Sequence, residues 1–193
     1  MKTRRLLFHT LLLLLALSAP AAFAQVPDER AAGETAAQGF KLKGIDGKVY
    51  DSEKMRGEVL VVSFGATWCV PCTWELEAIE ELKVEYEKKP VKFFWVSVED
   101  PKRTSDNLLR HYAKERRLTV PVLRDPQSET FLRYETTTRL PVLVFFDRGG
   151  RFEAPAHRGM PQDITVYKQM VRDRVNALLA AGGGQESGGA ADR

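Results

Sequence analysis

An α/β fold of three layers, with a mixed central sheet and helices on both faces, is what this sequence predicts. Strand-like and helix-like segments alternate as β-α-β-α through the middle of the chain, which calls for parallel strands joined by crossover helices. The run Val59–Phe64 is apolar but for Ser63, and Val91–Val98 but for Lys92 and Ser97, as in strands covered on both sides. The last part reads β-β-α, with Gly149-Gly150 as a hairpin turn, so an antiparallel pair closes the sheet.

The elements follow in order. Phe40–Leu42 and Lys48–Tyr50 flank Asp46-Gly47, a tight-turn dipeptide, and read as a small hairpin. After the strand Val59–Phe64, a helix is expected from Val70 to about Lys88, with Leu76, Ile79, Leu82 and Tyr86 on its apolar stripe and Pro90 stopping it. The strand Val91–Val98 leads to a helix capped by Thr104 or Ser105 and carrying Leu108, Leu109, Tyr112 and Ala113. Val120–Leu123 reads as a short strand, Glu129–Tyr134 as a short helix, Pro141–Phe146 as a strand and Arg151–Glu153 as its hairpin partner. Tyr167, Val171, Val175 and Leu178 line one face of a terminal helix that Gly182–Gly184 ends.

Outside this domain, placed at 40–181, three segments read differently. Lys2, Arg4 and Arg5 precede an apolar run, and small residues lead to Ala22-Phe23-Ala24, the three-part layout of a secretory leader at 1–24 cleaved after Ala24. The run is about a dozen residues, short of the ~20 that span a bilayer. The expected location is periplasmic or otherwise exported. Residues 25–39 read as a linker, and the Gly/Ser/Ala-rich stretch 182–193 is expected to be disordered. The formal charge of +3 belongs to the leader, which holds three of the 29 Lys+Arg and no acid; the rest balances 26 against 26. Basicity therefore argues for no nucleic-acid or membrane partner.

The chain has two cysteines, Cys69 and Cys72. A bridge between them closes so small a ring that it constrains almost nothing in the unfolded chain, so the pair is there for reactivity. A buried strand runs out, a short turn follows, and Cys69 stands at the start of a long helix. There, unpaired N–H groups and the helix dipole favour the thiolate, the form that attacks disulfides. Pro71 falls in the first turn, where a missing N–H costs little. A spacing of three brings Cys72 under Cys69, able to attack a mixed disulfide and release the reduced partner. Lowering the Cys69 pKa from about 8.5 to about 7 raises its thiolate fraction at neutral pH roughly 16-fold. Its nucleophilicity falls about fivefold, so the surroundings mainly set redox poise. A zinc site is disfavoured, because His111 and His157 stand at no ligand spacing; no metal and no cofactor is expected.

Thr67-Trp68-Cys69-Val70-Pro71-Cys72 resembles the active site of thioredoxin-like proteins, especially the exported TlpA/ResA-like thiol–disulfide oxidoreductases, and the similarity runs from about Phe40 to Leu179. The resemblance implies a thioredoxin-like fold, Cys69 as the attacking and Cys72 as the resolving cysteine. It also implies a cis peptide bond at Leu140-Pro141 lying against the disulfide. Trp68, Pro71, Leu140 and Pro141 are the substrate-binding residues it implies. Glu75 matches a glutamate placed near the resolving thiol; it reads equally as an ordinary acid in the first turns of a helix. Three departures stand out. Ser63 replaces the buried acid of cytosolic thioredoxins. Glu77 replaces a helix-kinking proline, so the helix is expected to run straighter. Gly65 replaces a residue usually aromatic, which is expected to leave a shallower or more open groove.

The function expected is reduction of disulfides in other exported proteins, by a monomer recharged from a membrane thiol donor. The other readings are a thiol oxidant, a peroxiredoxin-type peroxidase, and a non-catalytic copper- or peptide-binding module. No Pro-x-x-x-Thr-x-x-Cys pattern precedes Cys69, and the cysteine spacing is one residue short of the copper-chaperone pattern.

Overall fold

The computed structural model describes residues 39–137 and 139–183. The expected leader, the linker before Gly39 and the tail beyond residue 183 lie outside the described residues.

Among the described residues the chain runs β1 (Lys41–Gly44), β2 (Val49–Asp51), a 3-10 turn (Ser52–Met55), β3 (Val59–Gly65), α1 (Val70–Glu85) and β4 (Val91–Ser97). It continues through α2 (Asp106–Glu115), β5 (Val122–Arg124), α3 (Phe131–Tyr134), β6 (Val142–Phe146), β7 (Phe152–Arg158) and α4 (Ile164–Gly183). The strands form one mixed sheet in the order β2-β1-β5-β4-β3-β6-β7. β3 is parallel to β4 and β4 to β5, as crossover helices α1 and α2 require, whereas β6 and β7 run antiparallel.

Alternation along β3 sorts the core into two layers. Val59 and Val61, with Phe93 and Trp95 of β4, face the stripes of α1, α2 and α4: Leu76, Ile79, Leu82, Leu109, Tyr167 and Val171. Leu60, Val62 and Phe64 face the other way, toward Phe40, Phe131 of α3 and Phe146. Three long helices thus cover one face, and a single helical turn with the N-terminal segment covers the other. Ser63 and Gly65 continue the helix-covered face to the end of β3, which brings them beneath the start of α1.

Differences from the sequence reading are local. α1 ends at Glu85 rather than near Lys88, and the chain tightens through Glu87 N–H to Val84 O and Lys89 N–H to Tyr86 O. A residue before proline avoids helical backbone, so the stop at Pro90 propagates backward. No break interrupts α1, which runs from Val70 to Glu85 through Glu77. β7 runs to Arg158 instead of stopping at Glu153, although it contains Pro155. β7 is the edge of the sheet, where a missing N–H breaks no ladder, and the β6–β7 register slips between Leu143 and Phe145.

Candidate active site

Cys69 is the N-cap of α1, with extended backbone, and is bonded to Cys72 in a disulfide. Its Sγ accepts the N–H of Cys72 at 3.2 Å, satisfying one of the free donors of the first helical turn. Cys69 retains 5% exposure and Cys72 none, so only the outer sulfur can be approached from solvent. Pro71 sits half-buried in the first turn, where helices tolerate proline.

Around the disulfide the surface is apolar. Trp68 is 71% exposed and Val70 60%. Leu140 packs against the small cluster of Ala66, Cys69 and Cys72. The Leu140-Pro141 peptide bond is cis, and the carbonyl of buried Pro141 accepts the N–H of Gly159 at 2.8 Å. The structure therefore brings Leu140 to the cysteines from a segment some seventy residues away. Trp74, four residues after Val70 and so on the same side of α1, is 49% exposed. The sequence reading did not single it out, although an apolar residue at that spacing from Val70 was visible.

Glu75 is not an ordinary exposed acid. It is fully buried, and its two carboxyl oxygens accept the hydroxyls of Ser63 at 2.5 Å and Tyr167 at 2.7 Å. Burial pushes its pKa up to about 7, outweighing the two hydrogen bonds that favour the charge. Residues 72 and 75 are one helical turn apart on the buried side of α1, so this acid lies under the same turn as the inner sulfur. Ser63, the residue that replaces the buried acid of cytosolic thioredoxins, thereby helps bind an acid that α1 supplies.

The segment leading to Cys69 is held by Glu99, which sequence reasoning missed. This buried carboxylate accepts Thr67 N–H at 2.9 Å, Thr67 Oγ1 at 2.7 Å, Thr104 Oγ1 at 2.9 Å and Ser97 Oγ at 3.1 Å. It ties the loop before the disulfide to the β4–α2 connection. A glutamate directly after an apolar strand was the signal available, but nothing in the sequence places Thr67 beside it.

Gly65 lies close against the Trp95 indole. A Cβ there would lie 2.6 Å from Nε1 of Trp95, so the Trp95 indole from β4 already occupies the space. An aromatic group thus reaches this position from the neighbouring strand. Among the described residues no group of three or more His, Cys, Asp or Glu side chains is arranged to hold a metal ion.

Comparison with known proteins adds to this geometry. The profile described as the AhpC/TSA family matches residues 33–154. The chain is 30% identical over 155 residues to the thiol-disulfide oxidoreductase ResA of Geobacillus thermodenitrificans, covering 78% of this chain and 86% of that one. It is 26% identical over 156 residues to ResA of Bacillus cereus, covering 78% and 87%. Two solved structures share the fold. One is a thioredoxin-family thiol:disulfide interchange protein of Chlorobium tepidum, with TM-score 0.60 and 21% identity over 73% of this chain and 96% of that one. The other is a secreted Mycobacterium tuberculosis disulfide oxidoreductase, with TM-score 0.57 and 18% identity over 73% and 97%.

Proposed function

Because this chain belongs to the AhpC/TSA family and is a thioredoxin-like thiol–disulfide oxidoreductase acting on protein thiols, we propose that it works outside the cytoplasm in the reducing direction. In this reading Cys69 attacks and Cys72 resolves. The observation that carries the assignment is the asymmetry of the pair: an outer sulfur at a helix N-terminus, and an inner sulfur sealed beside a buried acid.

The reaction balances as two exchanges. The Cys69 thiolate forms a bond to one sulfur of a client disulfide; the client S–S bond breaks and its other sulfur leaves as a thiolate that takes up a proton. Cys72 gives its proton to Glu75 and attacks Cys69 Sγ; the Cys69–client S–S bond breaks, and the second client sulfur leaves as a thiolate that takes up a proton from Glu75 or water. Two electrons pass to the client, and the Cys69–Cys72 disulfide remains. Trp68, Pro71, Leu140 and cis-Pro141 offer the client an apolar surface, which Val70 and Trp74 extend. A thiol donor, at the membrane by family likeness, returns the pair to the dithiol.

The direction follows from charge. Val70 and Pro71 put no cation beside Cys69, and Glu75, when ionised, opposes a thiolate at Cys72. Each pKa unit withheld from the thiolate makes a two-electron couple up to about 30 mV more reducing. Equilibration with glutathione and dithiol buffers at pH 7 is expected to give a potential more negative than about −200 mV. A value near the ~−120 mV of strong oxidants would overturn the reducing assignment. Insulin reduction alongside peroxide consumption separates the reductase from a peroxidase.

Export rests on the leader pattern at 1–24 and on the ResA likeness. Intact mass of the protein recovered from a bacterial periplasm is expected to begin at Gln25. A full-length chain retained in the cytoplasm would sink this part of the reading.

A further inference from the structure

Trp95 is fully buried, and its indole Nε1 has no hydrogen-bond partner among the described residues. Leaving a buried N–H unpaired costs about 1–3 kcal/mol, and the position is otherwise well packed, with the indole stacked on Tyr112 at 5.5 Å between ring centres. The donor also has a particular neighbour. The point where a Gly65 Cβ would stand is 2.6 Å from Trp95 Nε1 and 3.3 Å from both Cβ and Sγ of Cys72. Gly65, having no side chain, leaves the indole N–H and the inner sulfur bordering the same space.

We propose that Trp95 is a hydrogen-bond donor reserved for the reduced state of Cys72. A disulfide sulfur is a weak acceptor, whereas the thiolate that reduced Cys72 becomes when its proton passes to Glu75 is a strong, charge-assisted one. The hydrogen bond that is missing from the disulfide form becomes available when the S–S bond breaks. No donor among the described residues is bonded to Cys72 Sγ in the disulfide form, and the hydroxyls of Ser63 and Tyr167 are both directed to Glu75. The indole therefore favours the reduced pair, opposing the charge of Glu75, and sets a limit on how reducing the protein becomes. A Cβ at residue 65 would press to within 2.6 Å of the donor and 3.3 Å of the sulfur, so glycine leaves both free to approach. Trp95 acts here on the reacting sulfur itself, and its role rests on the reading that Cys69 and Cys72 cycle between disulfide and dithiol.

The test uses the full chain labelled with ¹⁵N. Indole N–H resonances are recorded before and after reduction by a dithiol, which passes two electrons and two protons to the pair and itself becomes a disulfide. Trp68→Phe and Trp74→Phe, both exposed positions, identify the other two signals. The Trp95 proton is expected to move downfield on reduction and to exchange more slowly with solvent. In Trp95→Phe, the equilibrium with glutathione is expected to shift about fivefold toward the disulfide, the worth of one ordinary net hydrogen bond. That is about 20 mV more negative. An unmoved Trp95 resonance in protein whose two free thiols have been titrated overturns the proposal, and so does an unchanged potential in folded Trp95→Phe. Should Trp95→Phe not fold, the wild-type resonance alone decides. Failure of the dithiol to reduce the pair at all would overturn the cycling of Cys69 and Cys72 instead.

Discussion

Cys69→Ser is expected to lose disulfide reductase activity by at least ~10³-fold, while Cys72→Ser accumulates mixed disulfides with its clients. A serine hydroxyl at the N-cap still satisfies the N–H of residue 72, so Cys69→Ser should fold normally and lose only the nucleophile. In Cys72→Ser the outer sulfur still attacks, but nothing inside the protein can cleave the bond it forms. The 5% exposure of Cys69 against none for Cys72 decides which sulfur the client meets. Mass spectrometry of each variant after exposure to an oxidised client reads the outcome directly. Adducts on Cys72 in the Cys69→Ser protein would reverse the two roles.

The second large effect concerns Glu75. Glu75→Gln is expected to slow the Cys72-dependent step by roughly 10²-fold or more, as loss of a positioned general acid–base does. It should also remove a pH dependence centred near 7, the value to which burial raises this carboxyl. The same substitution should stabilise the fold at alkaline pH. The folded state holds the Glu75 proton up to about pH 7, while an unfolded carboxyl loses it near 4.5. Stability therefore falls as pH rises between those values, and above pH 7 the buried charge costs on the order of 3 kcal/mol. Glutamine avoids that cost while presenting the same shape to Ser63 and Tyr167. Urea denaturation at pH 4 and pH 8 should show little difference from wild type at the first and a clear gain at the second. A variant equally destabilised at both would mean that Glu75 serves packing alone.

Ser63 and Tyr167 offer a gentler version of the same test, because each removes one hydroxyl from Glu75 and leaves the carboxyl in place. Such a loss leaves the charged form less supported, so the midpoint of the pH profile should move upward. Their separation in the chain shows how the site is assembled. Ser63 comes from the strand before the motif, Glu75 from the helix after it, and Tyr167 from the last helix. The apolar stripe Tyr167, Val171, Val175 and Leu178 that packs α4 onto the sheet is what delivers the phenol to the acid.

Features that depend on near neighbours in the chain are legible in the sequence. The two cysteines one turn apart, Pro71 in the first turn, the stripe of Leu76, Ile79 and Leu82, and the twofold-buried runs of β3 and β4 are periodic or adjacent. Spacing alone therefore states which face they share. The order of strands and helices then left few ways to arrange the sheet. The electrostatics of the site came from long-range packing. Glu75 reads from sequence as an acid favoured by a helix dipole; in the fold, burial pushes its pKa up to about 7, while Ser63 and Tyr167, the latter 92 residues away, donate hydrogen bonds that oppose this. Glu99 became the clamp on Thr67, and Trp95 came to occupy the space above Gly65, through the parallel pairing of β3 with β4, which sets Ser63 opposite Trp95 and Gly65 opposite Ser97. A residue's backbone conformation is governed mostly by its neighbours in the chain. Its desolvation and its hydrogen-bond partners are governed by whatever distant segments the fold packs around it.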